Sequence, residues 1–192
     1  MSDLRLWPDP ILARPAVETH WLPRDEVLHT AVLLRRAVAD LAPLGIAANQ
    51  IGRPGRIVAF NQALVGFDLP DIALDPAIER ASPEVCQRIE GCLSLPGVAV
   101  PVSRPAWIVL TWTGFDGYRQ RRRVKGLAAA CALHEIDHLD GRTILDRAQA
   151  SALRRRRLAR YPVADLEPLL PNLLRAVSSG RLDNRHEAVC ER

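Results

Sequence analysis

The densest chemical feature of the chain is the pentapeptide HEIDH, His134 to His138. On a helix, residues four apart lie on one face, so both imidazoles can reach a single metal ion. Glu135 is the next residue round the helix and can sit beside the metal's open position as a proton acceptor, the HExxH arrangement of metal-dependent hydrolases. The bland alternative is two histidines hydrogen-bonded in a core beside a surface glutamate. Two imidazoles rarely make a good site, so a third ligand is needed. Downstream, Glu167 is the only loose candidate, and it lies in a proline-rich segment with no helix to present it. Leu139-Asp140-Gly141 leads to no third histidine at the spacing some zinc peptidases use. Upstream, Cys92 stands in EGCLSLPG, where Gly91 and Pro96-Gly97 bracket a segment that could hold a thiolate against the helix. A Cys-His-His set leaves one position for water, as catalytic sites do. These ligand types permit zinc or iron without choosing between them.

The pattern from Gly126 to Gly141 predicts the helix that presents HEIDH. A second helix is expected from about Asp25, where Val27, Leu28, Ala31, Leu34, Val38 and Leu41 recur at three-to-four spacing, with Asp25 as its cap. It must stop near Ala42, because Pro43 follows. WPDPIL, inside Leu4 to Leu12, reads as extended or turn, and PLGIAANQIG as a loop. Short strands are expected at 56–60, 72–74 and 98–102, and a stronger one at 106–112. A turn at Gly114 to Gly117 then returns the chain as a hairpin partner up to Val124. A further helix is expected over 147–161. Strands around one buried helix argue an α+β fold. The chain divides into one unit over 1–161 and an extension over 162–192, where three prolines and mixed polarity predict partial disorder.

Three local patterns, in order and about 40 residues apart, carry a resemblance: PLGIAANQ from Pro43 to Gln50, EGCLS from Glu90 to Ser94, and HEIDH. They resemble the GxGxAAxQ, EGCLS and HExDH motifs of the peptide deformylase family in its bacterial form, with WPDPIL and DPAI as weaker agreements. The resemblance implies antiparallel sheets packed around a central metal-binding helix. It implies one divalent ion held by Cys92, His134 and His138, with Fe(II) as the native ion and zinc or nickel able to substitute. It implies hydrolysis of the N-formyl group from the formyl-methionine that begins a nascent polypeptide, with formate released. An ion of this kind lowers the pKa of its water from ~15.7 toward ~7. Glu135 would move the proton, serving as base and then acid. The Gln50 side-chain amide and the Leu93 N–H match the family's oxyanion donors. Gly45 and Gly91 match its backbone-recognition positions. Leu44, Leu127, Ala130 and Cys131 match the walls of its methionine pocket, and Cys131 is read as wall rather than ligand.

Three positions depart from the family pattern. Pro43 replaces the first glycine of the loop, Ala130 is smaller than its usual occupant, and Asn49 stands where proline is frequent. Every metal, acid/base and oxyanion position is nevertheless present. The alternatives are a paralogue of altered or lost activity that binds metal or peptide, and a general zinc metallopeptidase.

Composition sets the remaining bounds. At 192 residues with 48% apolar and 25% charged residues, the chain suits one globular domain and is far from a disordered composition. No apolar run approaches the ~18 residues of a membrane span, and no secretory apolar stretch opens the chain, so a cytoplasmic protein without membrane contact is expected. The net charge of +4 is unevenly spread, with 12 Lys/Arg against 4 Asp/Glu between Arg119 and Arg160. Of the 26 basic residues only Lys125 is lysine. The Arg-rich run over 147–160 is a candidate ribosome contact, although a solvated helix face is the simpler reading of it. The four cysteines, Cys86, Cys92, Cys131 and Cys190, show no CxxC spacing and no disulfide framework, and each is read singly.

Overall fold

The computed structural model describes residues 4–148 and 189–191. Helix α1 spans Arg24–Leu41, with Asp25 and Glu26 in its first turn. Asp25 is therefore inside the helix rather than its cap; Pro23 holds that place, and the two acids face the positive end of the helix dipole. The helix ends where Ala42 turns left-handed (φ 48°), which carries the chain round into Pro43.

Two antiparallel sheets follow. The first runs β1 (Gly45–Ala47), β2 (Ile57–Phe60), β3 (Ile72–Ala81), β6 (Trp107–Thr113) and β7 (Arg119–Lys125) in that order. The second runs β5 (Leu95–Pro105), β4 (Val85–Cys92) and β8 (Val189–Glu191). A short helix, α2 (Gln62–Val65), follows β2.

The first sheet is covered on both faces, which is why β2 reads as an unbroken apolar run, IVAF. Ile57 and Ala59 pack with Leu34 and Ala37 of α1. Val58 and Phe60 belong to the opposite core, with Ile108, Leu110 and Ala129, Ala132 and Leu139 of helix α3 (Gly126–Leu139). Helix α3 thus lies under the first sheet and against β5 of the second, the expected central helix of an α+β fold. It ends at Leu139, and the chain turns away at Gly141 (φ 72°), where a Cβ would come within 2.8 Å of the Ala13 carbonyl oxygen, so no other residue fits. A final short helix, α4 (Ile144–Arg147), follows.

Several expectations change in extent. The loop after Pro43 contains β1 and a 3-10 turn, Ala48–Ile51. The strand expected at 72–74 continues to Ala81, because Asp75 (φ 46°) and a register shift between Leu74 and Ala77 absorb Pro76 as a bulge, with a second shift between Ile78 and Arg80. β4 had no counterpart in the sequence reading, and β5 is longer than the expected 98–102. Most of the helix expected over 147–161, and of the 162–192 extension, lies outside the described residues. The cysteine reading needs one correction. Cys86 is disulfide-bonded, and the β4–β8 register sets Cys190 opposite it, while Cys92 and Cys131 are free.

Candidate metal centre

Three structural pieces converge on the HEIDH face of α3. The first is the end of β4, where a register shift at Gly91/Cys92 precedes a tight turn through Leu93 and Ser94. This turn puts Cys92 Sγ 3.1 Å from His138 Nε2. The ligand atoms of Cys92, His134 and His138 all lie within 4.8 Å of one another. A soft thiolate with two imidazoles is a donor set for zinc or iron-type divalent ions.

The imidazoles are held from behind. His134 Nδ1 meets Glu90 Oε2 at 3.0 Å, which leaves its other ring nitrogen for the centre. Glu90 in turn takes a fork of hydrogen bonds from Arg104, at 2.8 and 2.9 Å. Arg104 Nη1 also donates to Asp137 at 2.5 Å, and Arg147 reaches Asp137 with two nitrogens, at 3.0 and 2.5 Å. Two carboxylates and two guanidiniums therefore close on each other, and Arg104 is only 4% exposed. Burial alone would raise the Glu90 carboxyl, but hydrogen bonds from Arg104 and His134 outweigh it and hold it at about 2.

Burial, with the charges of His134 and Arg104, pushes His138 well below its ordinary value and keeps it neutral, the form that ligates a metal. His134 goes the other way. Burial lowers it, but hydrogen bonding to Cys92 and Glu90 and the nearby Glu135 charge prevail. The surplus of negative groups around that ring is the field a divalent cation would satisfy.

The second piece is the loop after α1. Gln50 is 2% exposed and its amide orientation is fixed, because Oε1 accepts from the Ala47 N–H at 2.8 Å. Its NH2 end therefore faces the centre, 3.7 Å from Cys92 Sγ and 3.2 Å from Ser94 Oγ. Asn49 keys the same turn to α3 by donating to the His138 carbonyl at 2.5 Å. Gly45 sits against the catalytic-side helix face. A Cβ there would stand 2.8 Å from Glu135 Cγ and 3.1 Å from Cys131 Sγ, so the position requires glycine. At Gly91 an added Cβ would meet nothing nearer than 3.7 Å, so that glycine has no steric cause.

The third piece is the N-terminal strap. Arg5 N–H donates to the Gln50 carbonyl at 2.7 Å and Trp7 N–H to the Ser94 carbonyl at 2.9 Å, tying the two motif loops together.

Glu135 is 4% exposed, and its Oε2 has no hydrogen-bond partner among the described residues. Burial is the main cause that raises its carboxyl to about 7; His134 and Arg104 pull it down less than Glu90 and burial push it up. A carboxyl in that range can take and return a proton near neutrality.

These arrangements match known proteins. The family description of polypeptide deformylases covers residues 1–154. The chain belongs to the peptide deformylase family. It is 35% identical over 147 residues to the peptide deformylase of Agrobacterium fabrum, covering 76% of this chain and 86% of that protein. It is 42% identical over 111 residues to that of Dictyoglomus thermophilum, covering 58% and 69%. Among solved structures, the Thermotoga maritima peptide deformylase superposes with a TM-score of 0.70 at 28% identity, covering 78% of this chain and 98% of that one. A Synechococcus elongatus peptide deformylase in complex with actinonin gives 0.69 at 31% identity, covering 80% and 86%. Membership makes this chain a metal-dependent hydrolase, with Cys92, His134 and His138 as its metal-capable group.

Around the deformylase centre, Ala130 and Cys131 are each 5% exposed, while Leu44 and Leu127 are 39% and 36% exposed. Burial first, then the Glu135 and Glu90 charges, push the Cys131 thiol up. Before Pro43 the chain turns at Ala42 (φ 48°), and β1 after it registers Gly45 against Phe60. Arg104 was invisible as a site residue in the sequence. Its signal was the alternation Val100, Val102, Arg104, which continues one buried face of β5.

Proposed function

We propose that the chain removes the N-formyl group from the formyl-methionine of nascent polypeptides and releases formate. The observation that carries this reading is the convergence of the Gln50 amide, the Cys92/His134/His138 group and a buried Glu135 with an unpaired oxygen. The intact set also disfavours a paralogue without activity. Fe(II) is the ion we assign to the centre, with zinc or nickel as substitutes. When bound, it supplies an acidified water and polarises the formyl oxygen.

The chain's own residues do the rest. Glu135 accepts the proton of the attacking water and passes it to the departing amine. Gln50 Nε2 and the Leu93 N–H donate to the oxygen on which charge develops; losing one such donor costs ~3–4 kcal/mol of barrier. Glu90 keeps the His134 ring turned toward the centre. Gly45 and Gly91 let the peptide backbone approach, while Leu44, Leu127, Ala130 and Cys131 line the first side chain's pocket. Residues 1–161 form the catalytic unit and 162–192 its extension. The protein acts in the cytoplasm, and the Arg-rich run over 147–160, which lies mostly outside the described residues, contacts the ribosome.

Metal content and formate release test the ligand set together. Cys92→Ala should lose both the stoichiometric metal and the activity; a variant that keeps its metal and its turnover would overturn the assignment.

A further inference from the structure

Asn49 stands beside Gln50 in the 3-10 turn Ala48–Ile51 and takes no part in the chemistry above. It is 1% exposed, and its Nδ2 donates to the His138 carbonyl oxygen at 2.5 Å. The end of α3 does not need that bond, because the same carbonyl accepts the Gly141 N–H at 3.0 Å. Nor does the bond complete the pairing of the amide: Asn49 Oδ1 is buried with no hydrogen-bond partner among the described residues. Flipping the amide would set that oxygen against the His138 carbonyl, so its orientation is fixed. A buried amide left half-paired is a poor device for stability.

What the bond supplies is location. Gln50 is tied within its own loop by the Ala47 N–H, to the strap by the Arg5 N–H on its carbonyl, and to the Cys92 turn through Ser94 Oγ. None of these ties reaches α3, which carries Glu135 and both imidazoles. Among the described residues, the Asn49 bond is the one hydrogen bond between this turn and that helix. It joins the neighbour of the oxyanion donor to the backbone of a metal-capable residue, His138. Without it, packing alone would set where Gln50 stands over α3, and a misplacement of about 1 Å at a reacting centre can cost on the order of 10²-fold in rate.

We propose that Asn49 is a positioning residue: by tying its turn to His138, it sets where the Gln50 amide stands relative to the metal group. The inference rests on the deformylase reading above. Its test follows formate release from a formyl-Met peptide by the metal-loaded full chain and by Asn49→Ala, Gln50→Ala and the double variant. Gln50→Ala should lower kcat by about 10²–10³-fold. Asn49→Ala should lower it by about 10–100-fold, with KM within about twofold and metal content unchanged. Asn49→Leu, which fills the same space without a donor, should be as slow as Asn49→Ala. In the double variant the Asn49 change should add less than about twofold, because both act through one group. A merely structural asparagine would give losses that multiply. The zinc-loaded protein gives a readout without turnover. There the Gln50 side-chain amide resonances, identified by their loss in Gln50→Ala, should shift or broaden in Asn49→Ala. Parent-like kcat in Asn49→Ala or Asn49→Leu, losses that multiply, or unmoved Gln50 resonances would overturn the proposal, while a slow Gln50→Ala still upholds the activity. No formate from the parent protein, or a Gln50→Ala variant as fast as the parent, would remove the reading of the site and the inference together.

Discussion

Two regions of this molecule pair arginine with carboxylate in the same bidentate way and have opposite weight. On β7, Arg121 forks onto Glu79 at 2.7 and 2.9 Å. Behind the metal group, Arg104 forks onto Glu90 at 2.8 and 2.9 Å. The distances are nearly the same. The surroundings are not: the side chains of Arg121 and Glu79 are 58% and 41% exposed, whereas those of Arg104 and Glu90 are 4% and 10% exposed. Water screens the first pair, so it contributes little. The second is dehydrated, and its members depend on each other and on Asp137 and Arg147. In an Arg-rich chain, burial rather than pairing marks the arginine that matters to the site.

The comparison breaks most directly at Arg104. Arg104→Leu leaves Glu90 and half of Asp137 buried without their counter-charge, and should cost about 3–5 kcal/mol in denaturant unfolding. If it costs under 1 kcal/mol, burial is not what distinguishes the two pairs. Acid titration of stability gives a second reading. The folded value of Glu90, about 2, lies below its ordinary 4.5, so its contribution is complete above about 4.5 and is lost as pH falls through 4.5 toward 2. That contribution is about 3 kcal/mol. It should vanish from the pH profile of Glu90→Gln.

The same variant sharpens the functional side of the buried pair. Without a carboxylate behind His134, metal affinity should weaken by about 10–100-fold in a chelator competition. The smallest effect belongs to the exposed pair: Arg121→Ala should change stability by less than about 1 kcal/mol and leave metal content alone.

The chemistry was legible where it is contiguous. HEIDH needs only the helical repeat, and Cys92 only a short turn. Helices α1 and α3, β2 and the β6–β7 hairpin follow from periodicity and turn residues. β4 was missed because its alternate positions, Cys86, Arg88, Glu90 and Cys92, are not an apolar set: Glu90 meets Arg104 and His134, and Cys92 belongs to the metal group. β3 was cut short because Asp75 and Pro76 look like an end, while the fold uses them as a bulge. The tie at Cys86 depends on a strand pairing across about a hundred residues, which no local spacing encodes. Arg104 needed burial to be seen at all.

The most direct test of the account is formate release from a formyl-Met peptide by the anaerobically iron-loaded protein, measured beside Glu135→Gln. The account predicts steady formate production by the parent protein and a loss of about 10²–10⁴-fold in kcat for the variant, with its metal retained. No formate from the fully loaded parent protein, or an equal rate in the two, would contradict it.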